Sequence, residues 1–135
     1  MINMHAYGSN RNFSGKMMRW IDQVLSPPNQ RYCPGGTWSP AINLYEDEAY
    51  YYVVADLAGV SMNEVDVRIK DGALILGGRR PMPRPPKNRQ VSLQLMEIDH
   101  GRFCRSIELP SDVIIDKTQA YYRSGYLWVR IPRRG

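Results

Sequence analysis

Histidines, cysteines, neighbouring carboxylates and glycine-rich turns are the places where a chain of this size would carry catalysis. His5 and His100 are the only imidazoles, one near the N-terminus and one in the turn Asp99-His100-Gly101. A histidine-based triad or a multi-histidine metal site needs more than one chain with two such isolated rings can bring together. Cys33 and Cys104 stand 71 positions apart, which matches neither a metal-ligand spacing nor a disulfide framework, so reduced thiols are expected. The acidic triplet Glu46-Asp47-Glu48 resembles a carboxylate pair on paper. Consecutive residues at a strand end point apart, however, and a solvated turn is the expectation. Gly35-Gly36 and Gly77-Gly78-Arg79-Arg80 are not followed by Lys-Ser or Lys-Thr, so no phosphate-cradling loop is present. The residues point to a protein that is not an enzyme, with no catalytic group, metal or cofactor.

Charge narrows the partners. The 135 residues carry 18 Lys and Arg against 13 Asp and Glu, a net charge of +5. Residues 79–89 hold five of those cations (Arg79, Arg80, Arg84, Lys87 and Arg89) and no acid, so one segment equals the whole excess. That segment has no aromatic ring on which a base would stack, and specific nucleic-acid binding is not expected. No apolar run approaches the ~18 residues that span a membrane, and the first ten residues lack a secretory pattern. A soluble cytoplasmic protein is expected.

The elements that must position any site fall into two parts. Within residues 12–26, Phe13, Met17, Trp20, Ile21, Val24 and Leu25 recur at helical spacing until Pro27-Pro28, which predicts a short amphipathic helix. A linker rich in helix breakers, ending in Cys33-Pro34-Gly35-Gly36, follows it. The expected layout is an N-terminal arm over 1–36 and a β domain over 37–135. From Trp38 onward the apolar period becomes two, with Ile42 and Leu44, then Tyr50 to Ala55, then Val65, Val67 and Ile69, then Leu74 and Leu76. Asp71-Gly72 between two alternating runs is a strong hairpin signal. Pro81, Pro83, Pro85 and Pro86 interrupt the pattern, which resumes at Val91, Leu93 and Leu95 and again at Phe103, Arg105, Ile107 and Leu109. Two last strands flank Ser124-Gly125. About eight short strands without crossover helices predict an all-β antiparallel sandwich, whose exposed edges are candidate sites of assembly.

These landmarks, in this order, resemble the small heat-shock proteins, the alpha-crystallin family, over residues 38–133. Trp38-Ser39-Pro40 with Ile42, Leu44 and Glu46 looks like the family's domain opening. Ala55-Asp56-Leu57-Ala58-Gly59-Val60 is similar to its A-D-L-P-G-V stretch, with Ala58 for the usual proline. Leu74-Ile75-Leu76-Gly77-Gly78-Arg79 is similar to L-x-I-x-G-x-R. Glu97, Gly101, Phe103, Arg105, Leu109 and Pro110 match the E-x-x-x-G-x-F-x-R-x-x-x-L-P block, and Ala120, Gly125 and Leu127 match A-x-x-x-x-G-x-L.

The resemblance implies an immunoglobulin-like sandwich and an ATP-independent holdase that binds partly unfolded client proteins and suppresses their aggregation. It also implies a homodimer in which a strand at about 90–96, carried on the Pro/Arg-rich loop at about 78–96, pairs with the partner's sheet. Val91, Leu93 and Leu95 would lie in that contact, with Arg105 at or near it and Glu97 or Asp99 as its expected carboxylate partner. An edge groove is expected between Val65, Val67 and Ile69 on one strand and Tyr121 and Arg123 on another. Family members commonly fill such a groove with an I-x-I or I-x-V extension. Here Val129-Arg130-Ile131 fits the letters but lies in the predicted last strand, so large assemblies are not expected. Client contact is expected in the arm, at Phe13, Met17, Met18, Trp20, Ile21, Val24 and Leu25, where flexible methionines suit an unselective surface. The alternative is a non-catalytic interaction or co-chaperone module on the same sandwich.

Overall fold

A computed structural model describes residues 32–86 and 89–135, so the helix expected at 12–26 and its client-contact residues lie outside the described residues. Seven strands form: β1 (Ile42–Glu46), β2 (Tyr50–Asp56), β3 (Val65–Lys70), β4 (Ala73–Arg80), β5 (Gly101–Glu108), β6 (Gln119–Arg123) and β7 (Tyr126–Pro132). They make two antiparallel sheets, one of four strands in the order β1-β2-β7-β6 and one of three in the order β3-β4-β5. The result is an open sandwich, not a barrel.

Alternation decides which side chains meet between the sheets. Tyr51, Val53 and Ala55 of β2 and Leu127, Val129 and Ile131 of β7 face Leu74 and Leu76 of β4 and Phe103 and Ile107 of β5 in one apolar cluster. Asp71-Gly72 closes the β3-β4 hairpin with φ of 50° and 77°, and Ser124-Gly125 closes β6-β7 with 53° and 84°. Two successive positive φ values are what the right-handed twist of a two-residue hairpin requires, so both turns were legible as residues.

Three expectations need correction. The segment with Val91, Leu93 and Leu95 forms no strand within the single chain, so seven strands, not about eight, form among the described residues. Glu46-Asp47-Glu48 is not a solvated turn. Glu46 is 6% exposed, and Asp47 accepts from the Ala49 and Tyr50 N–H groups and from the Tyr52 hydroxyl; only Glu48 is exposed. Finally, Cys33 and Cys104 form a disulfide, with Cα atoms 5.5 Å apart. Sequence separation hides their proximity: Trp38 adds to the open edge of β5 through N–H to the Arg102 carbonyl and C=O from the Cys104 N–H, and the turn at 34–37 folds the chain back over Cys104.

The buried Glu46 belongs to a polar cluster that ties the chain's end to the sandwich. Arg133 Nη1 meets Glu46 Oε2 at 2.6 Å and Nε lies 3.4 Å from Asp112 Oδ2, while its guanidinium sits 4.8 Å from the centre of the Tyr51 ring. The Tyr51 hydroxyl donates to Asp112 Oδ1 at 2.8 Å. Burial first, and then the hydrogen bond to Asp112, push the Tyr51 phenol well above the ordinary tyrosine range.

Removing one member of a buried ion pair strands the other, so Arg133→Ala is expected to lower unfolding free energy by about 3–5 kcal/mol, read by urea denaturation. A loss under about 1 kcal/mol would show the cluster to be solvated. For Tyr51 the sign is fixed by its raised pKa: the unfolded chain ionises near pH 10 while the folded one does not. Stability contributed there is complete below about pH 10 and falls above it by up to about 1.4 kcal/mol per pH unit, a slope that Tyr51→Phe should flatten.

Candidate interaction site

The long loop between β4 and β5 leaves and returns at one fastened point. Arg80 donates from Nε and Nη2 to the Asp99 carbonyl at 2.9 and 2.6 Å and from Nη1 to the Ala58 carbonyl at 3.3 Å. Its guanidinium also lies 4.3 Å from the centre of the Trp38 ring, whose Nε1–H donates to Gly101. Trp38 packs in turn against Phe103, with ring centroids 5.4 Å apart. One arginine thus joins the loop's two ends to the start of the domain. It lies one residue beyond Arg79.

Beyond this base, residues 91–98 carry an uncovered apolar row. Val91, Leu93 and Leu95 are 59%, 64% and 73% exposed, and Met96 and Ile98 are exposed as well. Single exposed apolar residues are ordinary, but an alternating row of them is not. Glu97 is exposed on the same segment.

Arg105 lies on the core-facing side of β5 between Phe103 and Ile107, opposite Leu76 of β4. It is partly buried, donates from Nη1 to the Pro40 carbonyl at 2.9 Å, and desolvation holds its guanidinium below the ordinary arginine range. Asp99, one of its two expected partners, offers its backbone carbonyl to Arg80.

β3 and β6 are each the last strand of their sheet. Val65, Val67 and Ile69 pack partly buried against the core from β3. On β6 the core-facing residues are Ala120 and Tyr122, and the Tyr122 hydroxyl reaches the Leu57 carbonyl at 2.7 Å. Tyr121 and Arg123 therefore sit on the opposite face, paired with Trp128 and Tyr126, because the period of two runs through Ala120. Val129-Arg130-Ile131 lies within β7.

Gly78 is the glycine that lets β4 pass against the Glu64 carbonyl and the Phe103 ring. A Cβ there would collide with the Glu64 carbonyl and come within 2.7 Å of the Phe103 ring. A glycine at this point of an L-x-I-x-G motif, an arginine two residues later and an F-x-R on the neighbouring strand are thus one packed unit. A profile of the Hsp20/alpha crystallin family matches residues 43–135. The chain belongs to this family. Over 96 residues it is 29% identical to the small heat shock protein C4 of Rickettsia felis, covering 71% of this chain and 58% of that protein. It is 31% identical to a probable 15 kDa heat shock protein of Leptospira interrogans, covering 71% of each. Among solved structures it is similar to a small heat-shock protein from Xylella fastidiosa, with a TM-score of 0.64, 26% identity and coverage of 74% of this chain and 90% of that one. The hspA of Xanthomonas axonopodis gives 0.63, 28% identity, and 73% and 97% coverage. The resemblance read from the motifs and the family found by comparison agree.

Substituting Gly78→Ala forces either Phe103 or the Glu64 segment to move, and overpacking of this kind costs about 1–3 kcal/mol, to which the positive φ of 154° adds. The expected result is a urea midpoint well below that of Gly77→Ala, where the nearest atom is 3.7 Å away. Equal midpoints for the two variants would remove Gly78 from this role.

Proposed function

We propose that this protein is a non-catalytic, ATP-independent holdase, and that the observation carrying the reading is the uncovered row Val91, Leu93 and Leu95 on a loop stapled at its base. The family assignment supports the class of activity, and the row supports a device for assembly. An alternating strand without a ladder needs an edge, and β1 ends the four-stranded sheet with β2 as its only paired neighbour. A second copy offering its β1 edge would accept residues 90–96 in a reciprocal, two-fold contact. Arg105, behind β1 at Pro40, and Glu97, on the exchanged segment, would face each other near that contact.

The remaining parts follow the same logic. The sandwich is taken as immunoglobulin-like, spanning 37–135 after an arm at 1–36. The arm's helix at about 12–26 would offer Phe13, Met17, Met18, Trp20, Ile21, Val24 and Leu25 to exposed apolar segments of clients. Each anchor is worth roughly 1.5–3 kcal/mol when buried, before ordering costs, so binding is weak per site and strengthened by several arms in one assembly. The groove between β3 and β6, lined by Val65, Val67, Ile69 and Tyr122, would take an apolar strand from a neighbour. No helix among the described residues is long and apolar enough to cross a membrane, and the cytoplasm is the proposed compartment.

Heating an aggregation-prone client with this protein, without nucleotide, is expected to suppress light scattering near equimolar ratio. Persistence of scattering with the folded protein present would reject the holdase and favour an interaction module. For the assembly, Leu93→Lys with Leu95→Lys should convert dimers to monomers by multi-angle light scattering while leaving the sandwich folded, since both side chains are exposed in the single chain. An undiminished dimer would reject strand exchange.

A further inference from the structure

The disulfide has surroundings that neither the family nor the holdase reading uses. Cys104 sits on the outer face of the three-stranded sheet, opposite Gly77 of β4, whose missing side chain leaves a hollow beside the sulfur. That hollow opens into a cleft of about 400 Å³ bounded by residues of the arm's root on one side and by the sheet on the other. Arg79 and Arg102 line it and face each other directly across β4 and β5. Arg68, also at the wall, is paired with Asp66 at 3.1 Å. Two like charges set opposite each other on a strand pair are unfavourable until an anion joins them. Cys104 lines the cleft and Cys33 does not, so a reagent held there meets the disulfide from its Cys104 side.

We propose that Cys33 and Cys104 form a redox-modification site that exchanges with an anionic low-molecular-weight thiol received in the Arg79–Arg102 cleft, and that its oxidised state clamps the root of the N-terminal arm across the three-stranded sheet. In the reducing direction the reagent thiolate attacks the Cys104 sulfur, the sulfur–sulfur bond breaks, and the electron pair goes to Cys33, which takes a proton. A second thiolate attacks the reagent sulfur of the mixed disulfide, releasing Cys104, which takes a proton, and the reagent as its own disulfide. Two electrons pass from two small thiols to the protein. Oxidation is the reverse, with the small disulfide as the oxidant. The arginines act by drawing a carboxylate-bearing reagent to the sulfur, which raises encounter rate without changing the chemistry.

The clamp is visible at Tyr32. Its hydroxyl donates to Asp71 Oδ2 at 2.6 Å, Lys70 lies 5.2 Å from its ring centre, and its backbone is left-handed with φ of 67°, a strained conformation for a tyrosine. The chain reverses at 34–37, where Gly36 has φ of 81° and Thr37 Oγ1 donates to the Pro34 carbonyl. Trp38 is held independently by β5 and by Arg80, so cutting the disulfide frees only what precedes it. With the disulfide closed, the arm starts toward the β3-β4 turn; with it open, the glycines at 35 and 36 let it leave elsewhere.

The test uses the full chain, reduced and then oxidised with glutathione disulfide, which is anionic, or with cystamine, which is cationic. Each rate is divided by that for the same protein in urea, which cancels the reagents' intrinsic reactivities. The folded protein should favour the anionic reagent by about tenfold, a preference that fades in high salt and reverses in Arg79→Glu with Arg102→Glu. Both arginines are exposed, so these variants should fold. An equal normalised rate for the two reagents would overturn the cleft. Free thiols persisting in the folded protein under excess disulfide reagent would overturn the site. For the clamp, trypsin should cleave after Arg31 about fivefold more slowly in the oxidised protein than in Cys33→Ser, and equal cleavage would overturn it. Holdase failure would leave all of these readings standing.

Discussion

A sheet must do something with its outermost strands, and in this molecule that constraint organises nearly everything else. Two sheets of four and three strands have four edges between them. At β5 the edge is taken by Trp38, which the chain brings back from the start of the domain. The edge strands β3 and β6 carry partly buried apolar residues packed on the core. The edge of β1 remains, and an alternating segment with no edge of its own is the part of the chain suited to it.

At two places charge is used to hold ends. Arg133 brings the end of the last strand onto Glu46 and Asp112, and Arg80 brings the loop's two ends onto Trp38. Both guanidiniums also lie over aromatic rings, which a lysine would do less well, because the flat group can stack and still donate at its rim. Arg105 donates to a carbonyl of the segment that leads into β1.

What the sequence showed depended on how local the cause was. Strand positions, the Asp71-Gly72 turn and the Gly-x-Arg and Phe-x-Arg elements rest on alternation and turn chemistry within a few residues, and they were legible. Contacts made by chain reversal were not. Nothing near Cys33 announces Cys104, and nothing near Glu46 announces Arg133, 87 positions on. On β6 the apolar period could be counted through Ala120 and Tyr122 or through Tyr121 and Arg123, and only packing against Leu57 decides it. The alternation at 91–95 was legible because it is local, but within one chain the segment stays outside every strand and exposed.

The disulfide also reaches the chain when it is not folded. Joining residues 71 positions apart, it makes a covalent ring that contains β1, β2, β3, β4 and the whole long loop, and leaves β6 and β7 as a free tail. A ring of this size removes enough disorder from the unfolded ensemble to favour the native state by about 4 kcal/mol in the chain-entropy picture. Oxidation would therefore do more than fix the direction of the arm. It would raise the barrier to this protein's own denaturation under the stress in which other proteins begin to lose their folds.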